Sequence, residues 1–333
     1  MTIQSFIRRG ALAGAVVVSL GLAAPAMAQT FPVKFYGSPG QVLKQGPIVV
    51  PSYELAFFTQ QQGTASGGVL TKSRLTTTLS NVPEATMRKL ADEAHADLVA
   101  QLKAANVPMA DANDFKMKAM SAGVPYAPAN SEITQIGRTI TIGAGVATAY
   151  AAFGATEAPI ISGLHAPTNS PMGAMNSLGV SRKIAPVVQA QKSVAIMPLL
   201  AIDFADTDAK GGRDFLGREA ANVSSRLKFS INMFSKVSLM ASFNNGRASS
   251  PGLMALGGKE IGVPTAFGTV LTGEGAVRQM SVTQVVNSSY IAQDAARGDA
   301  VVVDLPVWEG LVRQAFKDYN RAIVAEVRKA QGV

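Results

Sequence analysis

Cysteine is absent from the 333-residue chain, and histidine occurs only at His95 and His165. The first absence excludes disulfides, thiol nucleophiles, thiolate metal sites and a lipid-modified N-terminal cysteine. The second restricts zinc chemistry: a catalytic zinc usually takes two or three imidazoles, so both histidines and carboxylates from distant segments would be needed. Charge is scarce, with Asp, Glu, Lys and Arg at 16% of residues against about 25% in an average globular chain. No Gly-x-Ser-x-Gly elbow and no phosphate loop occur, and Gly273-Glu274-Gly275 lacks the third glycine of a dinucleotide fingerprint. The basic residues are scattered and do not interleave with aromatics, which argues against nucleic-acid binding.

Apolar and small residues are abundant, and 47% hydrophobic content is enough to fill a core. Arg8 and Arg9 precede an apolar run over residues 11–24, followed by Ala26-Met27-Ala28. The run is shorter than the about 20 residues that span a bilayer, so residues 1–28 are expected to be a cleavable secretory signal peptide. The arginine pair does not separate the general route from the twin-arginine route. Loss of both arginines with this segment lowers the formal net charge from +8 to +6. That excess suits anionic headgroups or another acidic envelope polymer.

About 305 residues remain, read as an extended N-terminal arm (29–68) and a single domain (69–333) with a sub-boundary near 109–131. The arm carries one strand and is bounded by a flexible QQGTASGG stretch. A helix follows, with Asn81 as cap, Pro83 and Glu84 in its first turn, and Met87, Leu90, Ala91, Ala94, Leu98, Leu102 and Ala105 on one face. Residues 109–131 read as a polar connection. Ile136, Ile140 and Ile142 alternate with small polar residues, as in a strand buried on one face. Residues 165–178, rich in Pro, Gly, Asn and Ser, read as a surface loop. The apolar run 193–204 reads as a strand buried on both faces, with Pro198 at a bulge or an edge.

Residues 226–244 place Leu227, Phe229, Ile231, Met233, Val237, Leu239, Ala241 and Phe243 at odd positions only. The spacing predicts one very long strand, or a hairpin with an unannounced turn, closed by Asn245 and Gly246. Residues 252–275 read as glycine-rich loops around a strand at 265–271. Further strands are expected at 280–286 and 300–303. Asp304 then caps a long amphipathic C-terminal helix with Pro306 in its first turn and a stripe through Trp308, Leu311, Val312, Ala315, Phe316, Tyr319, Ile323 and Val327. Strands in succession between helical segments predict an α+β fold with a mixed or mainly antiparallel sheet and a few packing helices.

The stretch DFADTDAKGGRDF (203–215) tests for metal chemistry. Asp206, Asp208 and Gly211 mimic a calcium loop, but Lys210 occupies a ligand position and Gly217 stands where a bidentate Glu belongs. A looser site from Asp203, Asp206 and Asp208 is the weak metal alternative to a solvated turn. Ser225 and Lys228 match a Ser-x-x-Lys nucleophile pattern, but on an alternating strand they face opposite ways. His95 reads as a histidine at the edge of the core. His165, in its Gly-Leu-His-Ala-Pro context, is the best candidate general base, without a visible nucleophile or orienting acid.

In pattern alone, the capped helix with strands and the long amphipathic strand resemble outer-membrane assembly and curli-type secretion proteins, without the lipid-anchoring cysteine of the latter. The sequence therefore predicts an exported, non-catalytic protein of the bacterial periplasm or outer membrane, with no cofactor, that binds an apolar small molecule or another envelope component. A lipid and further copies of the chain are the other partners it admits. The alternative is a hydrolase built on His165 with nearby aspartates, and a lesser one is an oligomeric outer-membrane assembly or secretion component.

Overall fold

The computed structural model describes residues 30–333 except 38, 68–71, 128–132, 142–143, 166–170, 214–218, 244–247 and 273–297. The expected export segment, the turn at Asn245 and Gly246, and the strand at 280–286 lie outside the described residues. Thirteen strands and five helices are found among those described. In chain order they begin β1 (Phe35–Tyr36), α1 (Gly40–Leu43), β2 (Ile48–Val49), β3 (Glu54–Ser66), β4 (Lys72–Ser80), α2 (Glu84–Ala104) and α3 (Ala112–Ser121). There follow β5 (Ile133–Thr141), β6 (Ala144–Gly154), α4 (Pro171–Gln191), β7 (Val194–Arg213), β8 (Glu219–Ile231) and β9 (Lys236–Phe243). The chain closes with β10 (Ala248–Leu256), β11 (Ile261–Val263), β12 (Gly268–Leu271), β13 (Asp299–Val303) and α5 (Leu305–Gln331).

All thirteen strands join one mixed sheet with the central order β1-β10-β9-β7-β3-β4-β13-β12. Parallel pairing occurs at β2–β7, β3–β7 and β4–β13, and the other pairs are antiparallel. The fold is broadly α+β, strand-rich, with a long C-terminal helix. Alternation along β7 explains why its apolar run is continuous. Val194 and Ile196 join the larger core with α2 and α5, while Ala195 and Met197 join a second core with α3 and α4. Helices thus cover both faces of this strand, as expected for a strand without a solvent face. Pro198 sits between the β7 residues paired to β2 (Val194, Ala195) and those paired to β3 (from Leu199), so its missing N–H removes nothing from either ladder.

β3 runs through the middle of the sheet, not along an arm. Its first half pairs with β7, its second half with β4, and β6 accompanies it throughout. The stretch expected to be flexible, 61–66, is strand, with Gln60, Gln61 and Gln62 buried. Their amides bond Thr78 and Asp203, among others, so polar side chains can occupy the interior here. After Ile202, β7 leaves β3 and continues to Arg213, paired among the described residues with β8 alone. The solvated turn expected at 203–215 is therefore a two-stranded ribbon as far as 213. One face of the ribbon lies against the β3–β4 hairpin: a Cβ on Gly63 would collide with Val223 and reach 3.0 Å from Thr207.

The alternating segment 226–244 is two strands on the same edge of β7. Between Ile202↔Ile231 and Leu199↔Lys236 the register slips by two residues. Asn232 N–H donates to the Ala201 carbonyl at 2.8 Å, and Ser235 Oγ accepts from Ala201 N–H at 2.9 Å, closing the kink. Two extra residues preserve odd–even parity, which is why the sequence alternates straight through the break.

The helices follow their stripes. Met87, Leu90, Ala91, Ala94, Leu98 and Leu102 of α2 are buried, as is the whole predicted face of α5, which Asp304 caps by accepting from Val307 N–H at 3.4 Å. Asn81 does not cap α2. It adopts a left-handed φ of 63° two residues too early, and the cap position is Pro83, which has no side-chain acceptor. Residues 165–178 were expected to be loop, but α4 starts at Pro171, where a proline loses no helical bond, and buries Val180, Ile184, Val187 and Val188. The polar connection 109–131 contains α3, capped by Asp111.

Candidate functional site

Three elements bring the best sequence candidate two partners. Glu54 opens β3, His165 ends the segment after β6, and Ser238 lies mid-β9. His165 Nδ1 is 3.1 Å from Glu54 Oε2, and Nε2 is 3.1 Å from Ser238 Oγ. This is the connectivity of an acid–base–nucleophile relay. The His165 and Glu54 side chains are 1% and 3% exposed, and Ser238 is half-buried. Lys236, two residues before Ser238, has its ammonium lowered from the ordinary lysine range by burial, with Glu54 acting in the opposite direction. Burial, and secondarily Glu54, raises the Tyr150 hydroxyl far above its usual range, and that hydroxyl has no hydrogen-bond partner among the described residues.

The backbone around Ser238 limits what this trio can do. Ser238 pairs with Met197 of β7 on one side and Leu253 of β10 on the other, so the N–H groups beside the hydroxyl are committed to ladders. Acyl transfer needs free donors aimed at the developing oxyanion, usually backbone N–H groups next to the nucleophile. The trio also ties residues 155–165 to the sheet, in the manner of a buried strut.

A second polar cluster occupies the root of the ribbon. Asp203 is 2% exposed. Its Oδ1 accepts from Gln61 Nε2 at 2.7 Å and Phe204 N–H at 2.8 Å, and its Oδ2 accepts from Asn232 Nδ2 at 2.9 Å. Glu260 accepts from Lys228 Nζ at 2.8 Å and Asn232 Nδ2 at 3.2 Å. Burial, then the charge of Glu260, pushes Asp203 up to about 7 against these bonds.

The three aspartates considered as a metal site do not converge. Asp206 pairs with Arg226 and Asp208 with Lys210, both near 2.5 Å on the solvent side, whereas Asp203 turns inward. No group of three or more His, Asp or Glu able to hold a metal ion is found among the described residues. Ser225 and Lys228 lie on β8 as a strand, with Ser225 Oγ 3.1 Å from Thr207 Oγ1. His95 is buried on the inner face of α2 with its ring 6.5 Å edge-on to Tyr53. Burial lowers its pKa, against the opposing charges of Glu157 and Asp92. Sequence reasoning missed Glu54 and Ser238. Glu54 was detectable as a lone charge in the apolar run 53–58, whereas Ser238 is one of several polar even positions on its strand.

Comparison with family models, with curated proteins and with solved structures finds no match.

Proposed function

We propose that the chain is an exported, non-catalytic cell-envelope protein that engages another envelope component along the free edges of the β7–β8 ribbon. The ribbon carries this reading. Over residues 206–213 and 220–228, neither outer edge pairs with another strand among the described residues. Unpaired edges of this length accept an added strand, and their N–H and C=O groups supply the affinity. The outward face is polar, with Asp206–Arg226 and Asp208–Lys210 pairs. An apolar ligand between sheet and helices is less well supported, because Trp308, Tyr53, Phe57, Phe153 and Tyr319 occupy that space. Export rests on the sequence of residues 1–28.

Thr207 and Ser225 face each other, so replacing residues 208–224 by Asn-Gly closes a short hairpin in register. After a high-salt wash, the full chain is expected in the envelope fraction and this variant in the soluble fraction. Equal retention of both would contradict the proposal. Analytical ultracentrifugation of the same pair reads whether the component is a second copy.

The Glu54–His165–Ser238 relay favours a second reading, a serine hydrolase. A fluorophosphonate probe that labels the chain, but neither Ser238→Ala nor His165→Ala, would establish it. Absence of labelling on folded protein removes it.

A further inference from the structure

At the ribbon root, one amide bridges two carboxylates. Asn232 Nδ2 donates to Asp203 Oδ2 at 2.9 Å and to Glu260 Oε1 at 3.2 Å, so these two oxygens are at most about 6 Å apart. Glu260 immediately precedes β11, an edge strand whose ladder to β8 has only three rows, from Ile261↔Ile231 to Val263↔Phe229. Beyond that ladder, the Glu260 carboxylate ties this segment down through Lys228, Ser230 and Asn232.

We infer that β11 is a proton-sensitive latch, docked on β8 while Asp203 is protonated and loosened when Asp203 and Glu260 are both charged. The groups around Asp203 decide the sign. β3 contributes the neutral Gln61, and β8 and its end contribute Lys228, Ser230 and Asn232. Lys228 is already held by Glu260 at 2.8 Å, with Asp206 4.0 Å away, and Arg226 is engaged by Asp206. Among the described residues, Asp203 makes no ion pair, so its charge meets a like charge across Asn232 without a cation of its own. Coupling is reciprocal: as Glu260 raises the proton affinity of Asp203, ionised Asp203 pushes on Glu260 by the same energy. The docked form therefore holds the proton more tightly, and undocking grows as pH rises toward about 7, where docked Asp203 ionises. The inference does not depend on what the ribbon binds.

Amide hydrogen exchange of Ile261 and Val263, whose N–H groups face β8, corrected for intrinsic rates, tests it on the full chain. Protection is expected to fall about tenfold from pH 5 to pH 8, the factor of one pKa unit, while the amides of β9 and β10 hold steady. Glu260→Gln removes the repulsion without touching the bonds of Asp203, and it should keep its pH 5 protection at pH 8. Asp203→Asn, neutral at both pH values, should do the same. Equal protection of the wild-type protein at both pH values, or an undiminished fall in Glu260→Gln, would overturn the latch.

Discussion

At position 165 an imidazole lies buried between an acid and a hydroxyl, and cutting either contact has a calculable cost. His165→Ala leaves the buried Glu54 side chain without its hydrogen-bond partner and opens a cavity, and should cost at least about 2 kcal/mol, whereas Ser238→Ala loses one hydrogen bond, about 1 kcal/mol. Urea denaturation of both variants reads this asymmetry, and equal losses would contradict a strut. Two groups give opposing pH dependences. Burial lowers the folded pKa of His95, so its contribution is complete above the ordinary value of 6.5 and is lost as pH falls through the folded value. The folded pKa of Asp203 is raised, so its contribution is complete below 3.8 and is lost as pH rises through about 7. Asp203→Asn should therefore gain on the wild-type protein between pH 4 and pH 8, by roughly 1–3 kcal/mol, read from urea midpoints. A difference independent of pH would contradict this. His165 was legible as a candidate base from its loop context. Its partners were not, because they come from strands 111 and 73 residues away and no local pattern encodes that distance.

α2 and α5 were the most legible elements, since an apolar stripe is a local signal, and both occupy the predicted faces; α3 and α4, read as connection and loop, were not. Strands fared worse where the solvent face is missing or where irregularities conserve parity. The two-residue slip between β8 and β9 leaves the odd–even alternation intact, so the break is invisible in the sequence. Its anchor is Ser235, whose hydroxyl accepts from Ala201 N–H inside the sheet. Ser235→Ala should cost about 1–3 kcal/mol by leaving that buried N–H unsatisfied, measurable as a lowered urea midpoint. The glutamines of β3 read as flexible because polar residues usually mark surface, yet here their amide N–H groups donate to Thr78, Asp203 and Thr76, while the Gln60 Oε1 has no partner among the described residues. Gly63 lets the ribbon approach β3 closely, and Gly63→Ala is expected to destabilise by about 1–3 kcal/mol through the clash with Val223. A neutral Gly63→Ala would mean that the ribbon stands off from the hairpin.

Across the whole molecule, the fold class was readable from the succession of strands between helices, but the sheet order was not. β3 serves β7 with one half and β4 with the other, a division that only long-range pairing decides. It is this division that frees β7 to continue as a ribbon. If the ribbon edges are the working surface, an envelope partner must pair with them. The most direct measurement is amide hydrogen exchange over residues 206–213 and 219–226, comparing purified protein with the same protein bound to isolated envelopes. Exchange at these edge amides should slow by at least about tenfold on the envelopes, as new ladder bonds form. Equal exchange in the two settings would contradict recognition along the ribbon.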